Sequence, residues 1–183
     1  MVNMDQGANN LATRVLQAIP EQPPSEDRWS GLNCDDWVRI VGKRLVESTW
    51  VTLGSYLRNQ SRLQWLGSMI CINTRKTLTE DQEDPQSWIA SFSGSNLRWE
   101  AVGIMFLYVA LNEVSNTMSQ DSRRMLEEYT EYVSSCITLA NMGGSSGSLM
   151  LYLLYKRSFL HACMHGETSK YSLTFNRSVS STI

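Results

Sequence analysis

Residues 101–111 form the longest apolar run in the chain, and no other feature constrains the fold as strongly. The run falls well short of the roughly 18 apolar residues that a membrane-spanning helix needs, so it reads as a helix of a protein core. With Leu97, Trp99, Val102, Ile104, Phe106 and Leu111, this segment is apolar nearly all round in its middle. A helix lacking a polar face has to be covered from every side. The rest of the chain must therefore supply neighbours around a central helix, which Asn96, just after Ser93-Gly94-Ser95, is placed to cap.

The flanking sequence contains such neighbours. Asn9 or Asn10 is placed to cap a short helix whose Leu11, Val15, Leu16 and Ile19 share a face before Pro20 stops it. Residues 21–25, with Pro23 and Pro24, read as a linker. Across residues 35–57, Trp37, Ile40, Val41, Leu45, Trp50 and Leu53 recur near the helical period, with Gly42 and Gly54 as weak points. That pattern predicts one long or kinked helix. Leu63, Leu66, Met69 and Ile70 mark the next apolar face, and polar residues 79–84 an exposed loop. Asp84-Pro85 is a helix start, since Asp accepts from a free backbone N–H and Pro has none to lose. Trp88, Ile89 and Phe92 give that helix its apolar side.

Residues 119–139 predict another amphipathic helix, with Met125, Leu126, Tyr129, Val133, Cys136 and Ile137 inward and Arg123, Arg124, Glu127, Glu128 and Glu131 outward. The glycine-serine stretch at 143–148 joins it to an antiparallel helix over 149–164, capped by Ser148 and terminated by Gly166. No alternating strand pattern and no internal repeat appears. The fold class is all-α, a multi-helix bundle with an N-terminal helix and linker (1–34), a helical core (35–169) and a polar, disordered tail (170–183).

Composition narrows the functions. At 183 residues the chain predicts one domain, which buries roughly 70% of its unfolded surface. Hydrophobic residues at 42% and charged residues at 19% exclude a wholly disordered chain. Sixteen basic against eighteen acidic residues give a net charge of -2, which argues against direct DNA contact by this chain alone. Residues 1–10 show no basic cluster followed by an apolar stretch, so no secretory signal is visible and an intracellular protein is expected. Cys34, Cys71, Cys136 and Cys163 are widely spaced without a C-x-x-C pair, which argues against structural zinc and against a disulfide framework. They read as buried thiols. The glycosylation patterns at Asn59 and Asn176 are chance matches in a chain that stays out of the secretory route.

Candidate chemistry is sparse. His161 and His165, four apart, would share one face of a helix, but a zinc protease needs Glu directly after the first His, where Ala162 stands. The glycine-serine stretch lacks the Gly-Lys-Ser/Thr ending of a phosphate loop. Arg98, Trp99 and Glu100 are adjacent and would point in different helical directions, with Arg98 anchoring a neighbouring helix or loop through bidentate bonding. The six Trp residues lack interleaved basic residues and read as core rather than as a base-stacking platform. No catalytic, cofactor-binding or metal residue is assigned, and the chain is read as a non-enzyme without a cofactor.

Taken as one stretch, residues 83–103, from Glu83-Asp84-Pro85-Gln86-Ser87-Trp88 to Asn96-Leu97-Arg98-Trp99-Glu100 and Gly103, resemble a segment in the regulatory domain of fungal transcription factors of the zinc binuclear cluster class. Ser48-Thr49-Trp50-Val51-Thr52-Leu53-Gly54 upstream fits the same family. So does the downstream stretch from Leu149-Met150-Leu151-Tyr152 to Gly166-Glu167-Thr168-Ser169, so that the likeness spans roughly residues 35–170. The resemblance implies a nuclear, helical regulatory or effector-sensing domain. In that family it is usually attached to a DNA-reading module whose six cysteines hold two zinc ions. The four scattered cysteines here cannot supply those ligands, so neither zinc nor DNA reading carries over. The family domain also continues past the position of Ser169, whereas residues 170–183 turn polar and Ser-rich, which points to C-terminal truncation.

Three functions follow as expectations. The first is a regulatory domain acting on transcription through a protein partner, an oligomer or a small-molecule effector, with no membrane role. The second is a truncated decoy that pairs with a full-length relative. The third is a small helical enzyme using His161 or His165 as a base, for which no nucleophile is identifiable by spacing.

Overall fold

Every residue from Trp99 to Glu113 of the central helix is buried, as its nearly all-apolar middle requires, and the burial reaches Glu100, Asn112 and Glu113 at its ends. The computed structural model describes residues 5–25, 36–79, 84–114 and 119–164. Among them are seven α-helices and no strand: α1 (Gln6–Gln17), α2 (Asp36–Leu57), α3 (Leu63–Arg75), α4 (Pro85–Ala90), α5 (Trp99–Val114), α6 (Gln120–Met142) and α7 (Ser148–Met164). The all-α class is therefore shown. Around α5 lie α6, which covers the most of it, then α2 and α7, with α3 at its N-terminal end. Helix α1 lies against α3 and α6, and its Ala12, Val15 and Leu16 join the same core.

Two glycines let α5 approach its neighbours closely. A Cβ at Gly42 of α2 would overlap the Tyr108 Cβ and stand 2.7 Å from its Cγ. A Cβ at Gly103 of α5 would stand 2.9 Å from the Leu153 Cδ1 of α7 and 3.2 Å from the Cys136 Cβ of α6. Gly42 is thus a point of close approach, and α2 runs through it and through Gly54 as one continuous helix.

Helix starts differ from expectation in three places. Asp5, not Asn9 or Asn10, caps α1, its carboxylate accepting from the Ala8 N–H at 2.7 Å. Asn96 sits in a 3-10 turn, Gly94–Asn96, and its amide donates to the Ala90 carbonyl at 3.2 Å. Helix α5 instead begins at Trp99, with the Val102 N–H bonded to the Arg98 carbonyl. At α7 the first carbonyl to accept belongs to Gly147, so Ser148 lies inside the helix. Asp84 caps α4 as expected, and Ser119 caps α6, its hydroxyl accepting from the Ser122 N–H. Met125, expected inward, is exposed on α6, where Leu126 takes the buried position. The expected loop at 79–84 lies mostly outside the described residues, as does the Gly166 stop.

Candidate interaction surface

The most elaborate polar arrangement is a buried knot where α3 ends and α5 begins. A helix leaves its last carbonyls without intrahelical partners, and at α3 one guanidinium takes them up. Arg98 donates through Nη1 to the carbonyls of Asn73 at 3.0 Å and Lys76 at 2.5 Å, and through Nη2 to that of Thr74 at 2.8 Å. Nη2 also donates to Glu100 Oε1 at 3.0 Å. The Asn73 amide reciprocates toward the carbonyls of Ser95 at 2.9 Å and Leu97 at 3.1 Å, while Thr74 Oγ1 accepts from the Trp99 N–H at 3.0 Å. From the loop between α6 and α7, the Ser145 hydroxyl closes onto Glu100 Oε1.

Arg98 and Glu100 thus pair directly, contrary to the expectation that adjacent residues diverge. Arg98 precedes the first helical turn, so the helical spacing rule does not govern it. The anchoring role expected of Arg98 is what the geometry shows. Both side chains are almost fully buried, and Glu100 Oε2 has no hydrogen-bond partner. This knot joins three parts of the chain, with Arg98 and Glu100 buried at its centre and Lys76 and Ser95 exposed at its rim.

The outer side of α7 has the opposite character. Its inner residues Leu149, Met150, Leu153, Leu160 and Cys163 are buried. Yet Leu151 is 68% exposed, Leu154 36% and Tyr155 67%. These positions, with Ser158 and Ala162, recur at helical spacing and form one stripe facing away from the bundle. Lys156 lies beside it, its ammonium 5.6 Å from the ring centroids of Tyr152 and Tyr155 and 5.8 Å from that of Phe159.

A second exposed cluster sits where α2 turns into α3. Arg62 lies over Tyr56 at 5.3 Å, Tyr56 stacks on the half-exposed Trp65 at 5.0 Å, and Arg58 lies over Trp50 at 5.2 Å. Basic and aromatic groups therefore do interleave in space, which the sequence reading missed. The partners come from different turns and from two helices, so no linear pattern announces them. Trp99, by contrast, is core, with its indole N–H on Cys71 Sγ at 3.0 Å.

The remaining candidates are quickly placed. His161 is exposed on α7, and His165 lies outside the described residues, as does Cys34. Among the described residues no group of three or more His, Cys, Asp or Glu side chains could hold a metal ion. The other three cysteines are buried thiols that form no disulfide. Burial raises all their pKa values, with Glu100 adding to the effect at Cys136, and Cys163 is pushed up to about 11. Such thiols are poor nucleophiles. A groove of about 460 Å³ lined by Gln6, Asn9, Asn10, Thr13 and Gln64 offers only amide and hydroxyl groups. No described helix is long and apolar enough to cross a membrane. Compared with protein-family models, curated proteins and solved structures, the chain matches none.

Proposed function

We propose that this chain is a regulatory module of the kind found in fungal zinc binuclear cluster transcription factors, acting in the nucleus through a protein partner rather than by catalysis. The observation that carries the reading is the outward stripe of α7: large apolar side chains two-thirds exposed on a helix whose other side is already in the core. Exposed apolar patches on a folded protein mark sites of association. The resemblance over residues 83–103 supports the same reading, because that stretch forms α4, the 3-10 turn and the Arg98 knot, a structural unit rather than a reactive centre.

The test is to tether the chain to a heterologous DNA-binding domain in a fungal host and measure a reporter. A change in transcription, up or down, relative to the DNA-binding domain alone is expected. A reporter that never responds, with the fusion present in the nucleus at normal abundance, would remove the reading.

A further inference from the structure

We infer that the outward face of α7 pairs antiparallel with the same face of a second copy of this chain. The inference rests on the reading above, in which this stripe is a site of association, and names its occupant.

The charges of α7 narrow what can cover the face. At about 100° per residue, neither Lys156 nor Arg157 stands on the stripe; both fall toward the buried arc, beside Leu149 and Met150, and Arg157 Nε is itself buried. From Leu151 to Ala162 the outward positions hold no Lys, Arg, Asp or Glu, with His161 at their border. A nucleic acid or a strongly charged helix would find no counter-charge there. An uncharged apolar seam is matched by another of its kind, and the chain carries one.

Shape then selects the copy and its direction. Leu151, Tyr155, Ser158 and Ala162 follow at intervals of four, three and four, the spacing of a two-helix seam. The two large side chains lie toward the start of the helix and the two small ones toward its end. In an antiparallel pair centred between Lys156 and Arg157, Leu151 of each copy comes against Ala162 of the other, and Tyr155 against Ser158, so that each large residue of the seam meets a small one. A parallel pair would set large on large and small on small, with a gap at one end. The hydroxyl of Ser158 already donates to the Leu154 carbonyl at 3.1 Å, so covering it strands no polar group. Helix α7 is about 25 Å long, which places the interface at the small end of specific ones and its dissociation constant on the order of 10 μM.

Sedimentation equilibrium of the full chain from about 1 to about 200 μM, a range that brackets this constant, should show the mass rising from one chain toward two. Leu151→Ser with Tyr155→Ser should raise the dissociation constant by about tenfold or more and leave the circular dichroism unchanged, since both side chains are largely exposed. Register is read by cross-linking. Leu151→Cys chains mixed with Ala162→Cys chains and oxidised with copper phenanthroline should form a mixed disulfide above the wild-type background. Neither variant should link to itself, because like positions stand about 16 Å apart along the antiparallel pair, too far for a disulfide. A chain that stays single throughout the range overturns the inference and gives the face to a different protein or to the chain's own residues. A dimer that the double variant leaves intact overturns it too, as does Leu151→Cys linking to itself, the mark of a parallel pair. The tethered reporter separates this failure from that of the proposed function. A wild-type fusion that acts on the reporter while the chain stays single removes the second copy and leaves the regulatory reading. A silent fusion of a chain that forms the mixed disulfide removes that reading and leaves the interface.

Discussion

Replacing Gly42 with Ala tests whether α2 and α5 are held at closest approach. In most helix interiors the change stabilises, because Ala exceeds Gly in helix propensity by about 1 kcal/mol. Here the new methyl would overlap the Tyr108 Cβ and come within 2.7 Å of its Cγ and 3.2 Å of its Cδ1. Rotation about χ1 can move the ring but not Cβ, which is fixed to the backbone of α5, and Tyr108 is 1% exposed with nowhere to swing. Relief therefore requires the helices to part. Overpacking of this kind costs typically about 1–3 kcal/mol. A clash between two atoms set by the backbone belongs at the upper end, so a net destabilisation of about 2 kcal/mol is expected after the propensity gain.

Gly54→Ala in the same helix is the control. Its methyl would meet Trp50 Cε3 at 3.1 Å and Cζ3 at 3.8 Å, side-chain atoms of its own helix rather than a Cβ fixed to another, so a change between neutral and about 1 kcal/mol stabilising is expected. Urea titrations followed by far-UV circular dichroism should show a lower midpoint for Gly42→Ala, with the m-value unchanged and Tm down by about 4–8 °C. A Gly42→Ala midpoint at or above wild type would refute the reasoning.

Four further outcomes are expected. Arg98→Ala should cost about 3–5 kcal/mol, because it leaves the buried Glu100 carboxylate without its cation and takes the guanidinium donors from the carbonyls of Thr74 and Lys76, and a loss below about 1 kcal/mol in the same titration would show that the knot carries little. Asp84 caps α4, and hydrogen bonds from the Ser87 side chain and backbone and the Gln86 N–H hold its pKa below 3.8. Its contribution is present above that ordinary value and disappears as pH falls through the lower folded one, so acid-induced faster amide exchange at Gln86 and Ser87 should vanish in Asp84→Asn; equal acid sensitivity in both proteins would count against the cap. Cys71, Cys136 and Cys163 should resist iodoacetamide near neutral pH by mass spectrometry until urea unfolds the chain. Because Cys163 is raised from 9.0 to about 11, its share of stability should hold below 9.0 and fade as pH climbs through about 11, a loss Cys163→Ala should lack.

What the sequence reveals here is whatever a single helix decides for itself. The buried run of α5 and the Asp84-Pro85 start of α4 are local patterns, and each appears where the residues place it; the stripe of α2 holds at Val41, Leu45 and Leu53, while Ile40 turns out to solvent and Val38 and Val46 are buried instead. Starts that depend on distant residues do not follow local cues. Asn96 looks like a cap for α5, but Arg98 is drawn to the end of α3, and its bonds there set where the helix begins. The Arg62–Tyr56–Trp65 stack is hidden for the same reason. The apolar character of 149–164 is plain in the sequence, while its exposure on one side depends on α5 and α6 reaching only the other.

The Arg98 knot also bears on the order in which the chain can mature. The end of α3 is finished by a residue that leaves the ribosome 22 to 25 positions later, as the separations to Lys76 and Asn73 show. Until then the end of α3 has an unsealed edge, and Ser145, 45 positions beyond Glu100, closes the same knot. A nascent or proteolysed fragment ending before Arg98 would therefore leave those carbonyls to water, and the last turn of α3 in such a fragment would fray more readily than in the finished chain.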